Sequence, residues 1–402
     1  MKAIIIQQVK NKLVLISAIK FKELNQIVRF TNREASVWDP YDFDSTYSND
    51  TEYYQRLVDS ERVKEIELFI KETFVEQEKN QDSIATIFPS SMILAFESEN
   101  ININNQEFIS FDLPSDNDSC LIVDGQHRFA AMQRLYNRYK HEQFESLNTS
   151  FIKKIEDYSF NCTVLLNFDI WEQAQLFINV NFNQKKVNKS LYYDIFGAVP
   201  PENKVDKNSG IYLSHRLAQF LNNSEKSPLK NFIKMLGTGP GYFSQAFLVE
   251  SLLVHFGSRG VWSSIEKDYR SKGTMHEILP KIFVAYFTAI KDTFKDNWPK
   301  GDSKYDSILC KTTGMGALIR LLGYIYKQLS IGAYPRIDKI DFENISTEDL
   351  TKVFKTIFEP ISKKNQILFG NKGEYGGTGG AGLQSKLYKR LGQELGLFSA
   401  DK

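Results

Sequence analysis

The chain has 402 residues, of which 42% are hydrophobic and 13% aromatic, a composition typical of a globular protein with one large core or two medium ones. Its 50 basic and 49 acidic side chains nearly cancel, which excludes a molecule-wide positive field for binding polyanions but leaves room for local patches. Cys120, Cys162 and Cys310 lie far apart in apolar stretches, so we interpret them as reduced core residues of a cytoplasmic protein.

The first 21 residues contain apolar runs that are interrupted by Lys10 and Lys12. Neither run reaches the roughly 20 residues of a membrane span, and no A-x-A-like cleavage site follows. We therefore predict a pair of strands, with no membrane association. The second strand runs into a short helix that ends near Phe30.

A polar loop is predicted from Thr31 to about Thr51, followed by a helix that Asp59 or Ser60 caps. The helix is indicated by apolar residues at helical spacing: Val63, Ile66, Phe69, Ile70 and Phe74. A strand is predicted over 92–96, and a loop rich in Asn and Asp separates it from the buried strand Cys120 to Val123.

The next helix, QHRFAAMQRLYNRYK, begins directly after Gly125 and places Arg134 and Arg138 away from its apolar face. A strand from Phe160 to Asn167 then leads into a helix over IWEQAQLFINVNF. After the polar break NQKK, another helix is predicted from near Asn188.

Gly197 and the pair Pro200-Pro201 interrupt the chain, and we place a domain boundary there, giving domains 1–198 and 199–402. Beyond the boundary, helical periodicity occurs in residues 212–221, 243–256, 277–293, 315–328 and 384–394. The expected fold class is therefore α/β (α+β) in the first domain and mainly helical in the second.

The strand-to-helix turn Asp124-Gly125-Gln126-His127-Arg128 is the candidate functional centre. The first N–H groups of a helix have no intrahelical acceptor and carry the positive end of its dipole, which favours phosphate. Gly125 would let a ligand approach the backbone, and Arg128 offers a fork for phosphate oxygens. Gln126 can donate or accept, while His127 can transfer a proton near neutral pH.

Asp124 has several candidate roles: it can hold a metal-bound water, a ribose hydroxyl or Arg128. The alternative for the whole turn is that Asp124 is a helix cap, Arg128 a surface side chain and His127 a structural residue. We favour the functional interpretation because a polar cluster joined directly to a buried strand is costly in a core.

The segment IVDGQHRFAAM resembles the signature of the DGQHR-domain family, whose members include the DndB proteins of DNA phosphorothioation and the DpdB proteins of 7-deazaguanine DNA modification. All five residues of the signature are present. Weaker similarity occurs upstream, in YQRLVD and Arg62-Val63, and downstream, in FINVN and Gln184-Lys185. These segments lie between residue 12 and about 198, and the helical remainder resembles the family loosely.

The resemblance implies a ParB/sulfiredoxin-like fold in which the turn binds nucleotide phosphates, and a role beside DNA and a DNA-modifying partner enzyme. We accordingly expect ATP and Mg²⁺ as ligands, with Asp124, His127 and Arg128 as catalytic candidates and Asp124 as a candidate metal holder. The expected nucleotide-binding residues are Gly125, Gln126, His127, Arg128, Gln55, Arg56, Asn179, Asn181, Gln184 and Lys185.

The residues outside the turn have simpler alternatives. Arg56 can be a solvated loop cation, and the alternating asparagines 179, 181 and 183 can merely end a helix, since asparagine is a poor helix former. The same asparagines can also contact a base or ribose, with Lys185 or Lys186 beside phosphate.

Three functions remain open from the sequence: an ATP-hydrolysing component of DNA modification, a DNA-binding regulator without catalysis, and a ParB-like nuclease that nicks DNA. The chain lacks a Walker A loop, an H-E-x-x-H motif, a paired-cysteine zinc pattern and a G-x-S-x-G elbow. The absence of a Walker A loop excludes a P-loop NTPase.

Overall fold

The described residues divide into two compact units, the first ending by Lys186 and the second beginning after it. The computed structural model describes residues 1–29, 59–79, 88–98, 101–103, 108–114, 119–141, 147–169, 172–177, 180, 189–198, 209–237, 240–272, 277–299, 307–376 and 380–399. Within this part, each unit has its own hydrophobic core. The sequence predicts a later boundary, at residue 198. That boundary would assign the helix Lys189–Ala198 to the first domain, whereas the structure groups it with the second unit.

The first unit contains one mixed sheet of eight strands. Its strands are β1 (Lys2–Val9), β2 (Lys12–Lys20), β3 (Val28–Arg29), β4 (Met92–Phe96), β5 (Ile101–Ile103), β6 (Phe108–Phe111), β7 (Cys120–Asp124) and β8 (Ser159–Leu166). Their order across the sheet is β3-β7-β4-β8-β2-β1-β6-β5. Strand β4 pairs parallel with β8 and antiparallel with β7. With the helices below, this sheet confirms the α+β fold class.

The first unit also contains four helices with complete bounds. They are α1 (Phe21–Ile27), α2 (Ser60–Lys79), α3 (Gln126–His141) and α4 (Leu147–Asp157), and residues 172–177 are helical as well. Helix α3 packs in the core because Phe129, Met132 and Leu135, spaced at three residues, are all buried.

Helix α2 buries a narrower face than its sequence predicts. Val63, Ile70 and Phe74 are buried, whereas Phe69 is 50% exposed. Successive helical residues differ by about 100° around the axis, so Phe69 lies at the edge of the face centred on Ile70. Glu67 takes a buried position on that face instead.

The strand pair at the start of the chain and the strands around 92–96, 120–123 and 160–167 are confirmed. The expectation of a continuous loop between β4 and β7 is wrong, since β5 and β6 form an antiparallel pair there. β5 is INI and β6 is FISF, and segments of three or four residues are too short for a strand period to be recognised among asparagines. The predicted loop 31–51 lies outside the described residues.

The second unit is mainly helical, as expected. Its helices are α5 (Lys189–Ala198), α6 (Ser209–Asn223), α7 (Gln245–Leu253), α8 (Ser263–Lys272), α9 (Ile278–Thr293), α10 (Thr312–Ile331), α11 (Thr347–Phe358), α12 (Asn365–Phe369) and α13 (Ala381–Glu394), with two short parallel strands, β9 (Ile233–Lys234) and β10 (Phe243–Ser244). None of the helices in the described residues has the length and apolar character needed to cross a membrane. All three cysteines are buried and free, in agreement with their interpretation as core residues.

Candidate functional site

The turn at 124–128 has the strand-turn-helix geometry that the sequence predicts. Strand β7 ends at Asp124, Gly125 has a φ of 106°, and α3 begins at Gln126. The Gly125 carbonyl accepts hydrogen bonds from the backbone N–H of Arg128 at 3.0 Å and of Phe129 at 3.1 Å. The N–H groups of Gln126 and His127 therefore stand at the open end of α3.

The structure gives two reasons for a glycine at position 125. A Cβ built on Gly125 would lie 2.8 Å from Cγ of Met92, and a positive φ disfavours any other side chain. Glycine is thus required by the turn itself and by its packing on β4, and the expectation that it lets a ligand approach the backbone stays a prediction.

A cavity of about 590 Å³ borders this turn, within the range of 300–1,000 Å³ that is usual for small-molecule sites. Three neighbouring strands contribute lining residues to the cavity. On β4, Ile93 pairs with Asp124 of β7 and with Thr163 of β8, so the strand pairing brings these three residues together. Phe177 and Arg62 also line it, one from the helical residues 172–177 and the other from the first turn of α2.

Arg128 lines the cavity, but its terminal nitrogens are held by the neighbouring wall. NH1 donates to the Ser90 carbonyl at 2.5 Å and to Ser90 Oγ at 2.9 Å, and NH2 donates to the Ser91 carbonyl at 3.0 Å. NH2 also lies 3.7 Å from Oδ2 of Asp124. Burial lowers the pKa of the Arg128 guanidinium, and the Asp124 carboxylate opposes that effect. The side chain therefore fixes the 90–91 segment against the turn.

His127 connects the turn to helix α2. Its Nε2 accepts a hydrogen bond from the backbone N–H of Asp59 at 3.1 Å, so this nitrogen carries no proton in the observed arrangement. Asp59 in turn caps α2, since its Oδ1 accepts from the N–H of Glu61 at 3.0 Å. The prediction that Asp59 or Ser60 caps this helix is thus resolved in favour of Asp59.

Gln126 contributes a donor to the cavity. Its Nε2 is buried and has no hydrogen-bond partner among the residues that the structure describes. A buried amide donor without an acceptor costs about 1–3 kcal/mol, a cost that a bound acceptor would remove. This atom is the clearest local indication that the cavity takes a ligand.

Among the described residues that line the cavity, Asp124 is the carboxylate, and its side chain is 29% exposed. Over the described ranges, no group of three His, Cys, Asp or Glu side chains is arranged to hold a metal ion by itself. A single carboxylate fits Mg²⁺ that a phosphate ligand brings with it, because Mg²⁺ commonly takes one or two carboxylates plus phosphate oxygens.

The structure brings together the five residues of the turn and adds residues that the sequence did not place in the site. Gln55, Arg56, Asn179, Asn181, Gln184 and Lys185 lie outside the described residues. The added polar residues are Arg62, Ser90, Ser91 and Thr163. Arg62 carried a sequence signal, since the pair Arg62-Val63 resembles the family, whereas the serines and the threonine carried none.

The first unit is therefore an α+β domain with a cavity at a DGQHR turn. A family model described as DndB, DNA-sulfur modification-associated, matches residues 1–344. Because this match covers most of the chain, the protein belongs to the DndB family of DNA-sulfur modification-associated proteins. No curated protein and no solved structure matches the chain.

The family match refines two expectations. It continues through much of the helical unit, so the resemblance is not confined to residues 12–198. It also names sulfur modification, one of the two DNA modifications that the signature allowed. The ParB/sulfiredoxin-like assignment of the first unit stays a prediction.

Proposed function

We propose that this DndB-family protein binds ATP in the cavity beside the 124–128 turn and hydrolyses it while acting with DNA and a DNA-modifying partner enzyme. The observation that carries the proposal is the buried Gln126 Nε2, an unsatisfied donor at the open N-terminus of α3. A phosphate oxygen there would satisfy the amide and the helix N–H groups together.

The charge of the lining supports an anionic ligand. Arg62 and Arg128 line the cavity, and Asp124, its carboxylate, lies beside Arg128. The cavity volume of about 590 Å³ is also adequate for a nucleotide. In this proposal Gln55, Arg56, Asn179, Asn181, Gln184 and Lys185 complete the nucleotide contacts.

Within the turn, Asp124 is the better candidate to orient the attacking water. The Nε2 lone pair of His127 is taken by the Asp59 N–H, whereas the Asp124 carboxylate is partly exposed. Water would attack the γ-phosphorus, the bond to the β–γ bridging oxygen would break, and ADP and phosphate would leave. Mg²⁺ held by Asp124 and the phosphates would neutralise charge on the phosphoryl oxygens.

The test is ATP hydrolysis and equilibrium ATP binding by the full chain, with Mg²⁺, with and without plasmid DNA. For the parent we expect both binding and turnover. Asp124→Asn should keep ATP binding within a few-fold and lower turnover on the order of 10²-fold, as loss of a group that positions the attacking water does. Asp157→Asn is the matched control, since this aspartate pairs with Lys20 on the surface.

A second candidate is a DNA-binding regulator that senses nucleotide without hydrolysing it. The hydrogen bonds of Arg128 to Ser90 and Ser91 favour it, because they direct this cation away from a transferring phosphoryl group. Binding of ATP without turnover, in any metal or DNA condition, would select the regulator. Nicking of supercoiled plasmid would select the nuclease, and a parent that does not bind ATP would refute the proposal.

A further inference from the structure

We infer that Arg62, on the first turn of α2, is the cation that contacts the ligand's phosphates directly, while Arg128 is a positioning residue. The inference rests on the proposed function, since it takes a nucleotide to be the occupant of the cavity. It assigns different roles to the two arginines that line one site.

Arg128 is already committed to protein acceptors. Its NH1 and NH2 donate to Ser90 and Ser91 at 2.5–3.0 Å, and its side chain is 14% exposed. Its guanidinium also lies 5.8 Å from the ring centroid of Phe88. A phosphate could take its terminal nitrogens only by displacing these contacts, so Arg128 is poorly placed to bind one.

Arg62 has the opposite properties. Its side chain is exposed, it lines the same cavity, and its guanidinium has no hydrogen bond or ion pair among the residues described. A guanidinium presents five N–H donors in a planar fork that matches phosphate oxygens. Arg62 therefore offers the cavity an uncommitted cation of suitable geometry.

The backbone of Arg62 is tied to the turn. Its N–H donates to Asp59 Oδ1 at 3.4 Å, and the Asp59 N–H donates to Nε2 of His127 at 3.1 Å. Two hydrogen bonds, through Asp59, thus connect the backbone of Arg62 to His127, the residue that follows Gln126. The link places a free guanidinium, a buried amide donor and the N-terminus of α3 around one space.

The electrostatics of this space favour an anion with several charges. Arg62 and Arg128 repel each other, and Arg62 adds to the effect of burial in lowering the pKa of Arg128. An anion between α2 and α3 would relieve that repulsion. Gln126 and Arg62 line the same cavity, and a triphosphate has more oxygens to share between them than a single phosphate has, so the contribution of Arg62 should grow with the number of phosphates.

The experiment is calorimetric titration of the full chain with ATP, AMP and adenosine, for the parent, Arg62→Ala and Lys64→Ala. Lys64 is the matched control because it is an exposed cation on the same helix, pairs with Glu61 and does not line the cavity. Arg62→Ala should weaken ATP binding on the order of 10- to 100-fold, the effect of losing a charged hydrogen bond. The loss should be smaller for AMP and absent for adenosine, and Lys64→Ala should bind like the parent.

The outcomes separate the inference from the proposed function. If the parent binds ATP and Arg62→Ala binds it equally well, the inference is wrong and the proposed function stands. Equal losses for ATP and adenosine, or a loss in Lys64→Ala as large as in Arg62→Ala, would also overturn it, since neither fits a direct phosphate contact. A parent that binds none of the three ligands overturns both.

Discussion

Gly125 is subject to two separate constraints at the start of helix α3. Its φ of 106° lies where side chains other than glycine are strained, and a Cβ would lie 2.8 Å from Met92 Cγ. Each constraint acts on the geometry of the turn rather than on a ligand. Changing this residue should therefore first affect stability.

Gly125→Ala should destabilise the first unit by about 2–4 kcal/mol, the sum of a strained backbone angle and an overpacked contact. Urea unfolding of the full chain would measure the free energy, and hydrogen exchange in β7 and α3 would locate the loss. Gly382→Ala is the control, since this glycine lies in α13 and an added Cβ meets nothing within 4 Å. The control should be neutral or slightly stabilising. Equal stability of Gly125→Ala and the parent would contradict the strain argument.

The sequence predicts which residues form the turn but not which partners they have. The pattern of a buried strand, a glycine and an amphipathic helix is local, so it can be recognised from the residues themselves. The acceptors of Arg128 lie 37 and 38 residues away in the chain, and the partner of His127 lies 68 residues away. Such contacts depend on how the strands and helices pack, and no local pattern encodes them.

Helices α2 and α3 are joined by an ion-pair cluster beside the site. The buried Glu67 forms ion pairs with two arginines: its Oε2 lies 2.8 Å from Arg134 Nε and its Oε1 lies 2.9 Å from Arg138 NH1, and both arginine side chains are 42% exposed. Arg134 and Arg138 are one helical turn apart, which lets both reach the same carboxylate. The pairing explains why a carboxylate occupies the buried face of α2.

Removing the charge of Glu67 and removing the two arginines should lower the free energy of unfolding by different amounts. Glu67→Gln should cost about 1 kcal/mol, because the arginines left behind are half exposed and can be hydrated. The double variant Arg134→Ala/Arg138→Ala should cost about 3 kcal/mol, because it leaves a buried carboxylate without a cation. Urea unfolding of the three proteins measures the difference. A double variant no less stable than Glu67→Gln would contradict this account of the cluster.

At the level of elements, long periodic segments are predictable and short polar ones are not. Helices α3 and α10 have sustained apolar periodicity, and the sequence places both. Helix α8, SSIEKDYRSK, is largely polar, so the sequence does not reveal it. Strands β3, β5 and β6 have two to four residues each, too few to show a period. The partner of β3 is β7, which is remote in sequence, and β6 pairs with the remote β1 as well as with its neighbour β5.

For the whole molecule, the two hydrophobic cores are the main feature. Within the described ranges, the residues of the first core lie between positions 3 and 166 and those of the second between positions 212 and 391, so the two cores have no residue in common. The family match spans both cores. The first core surrounds the sheet that carries the candidate site, so the site residues that the structure describes belong to one unit.

Helix α5 decides where an independent fragment should end. Its Ser190, Leu191 and Asp194 are at most 4% exposed. Ser190 Oγ accepts from the Ala246 N–H at 3.1 Å, and Asp194 Oδ1 accepts from Gln245 Nε2 at 3.3 Å. These partners belong to α7 of the second unit. A fragment that ends at residue 198 therefore carries a helix without its partners.

Residues 1–186 should fold alone as a monomer with a single cooperative thermal transition, because the first core is complete without α5. The fragment 1–198 should self-associate or have a lower melting temperature than 1–186, since the face of α5 that is buried in the full chain becomes exposed. Conversely, residues 187–402 should be more stable than residues 199–402, which lack the side chains that satisfy Ala246 and Gln245. Light scattering after size-exclusion chromatography and thermal unfolding by circular dichroism would compare the four fragments. If 1–198 is monomeric and more stable than 1–186, α5 belongs with the first domain and the boundary expected from Gly197 and the Pro200-Pro201 pair is right.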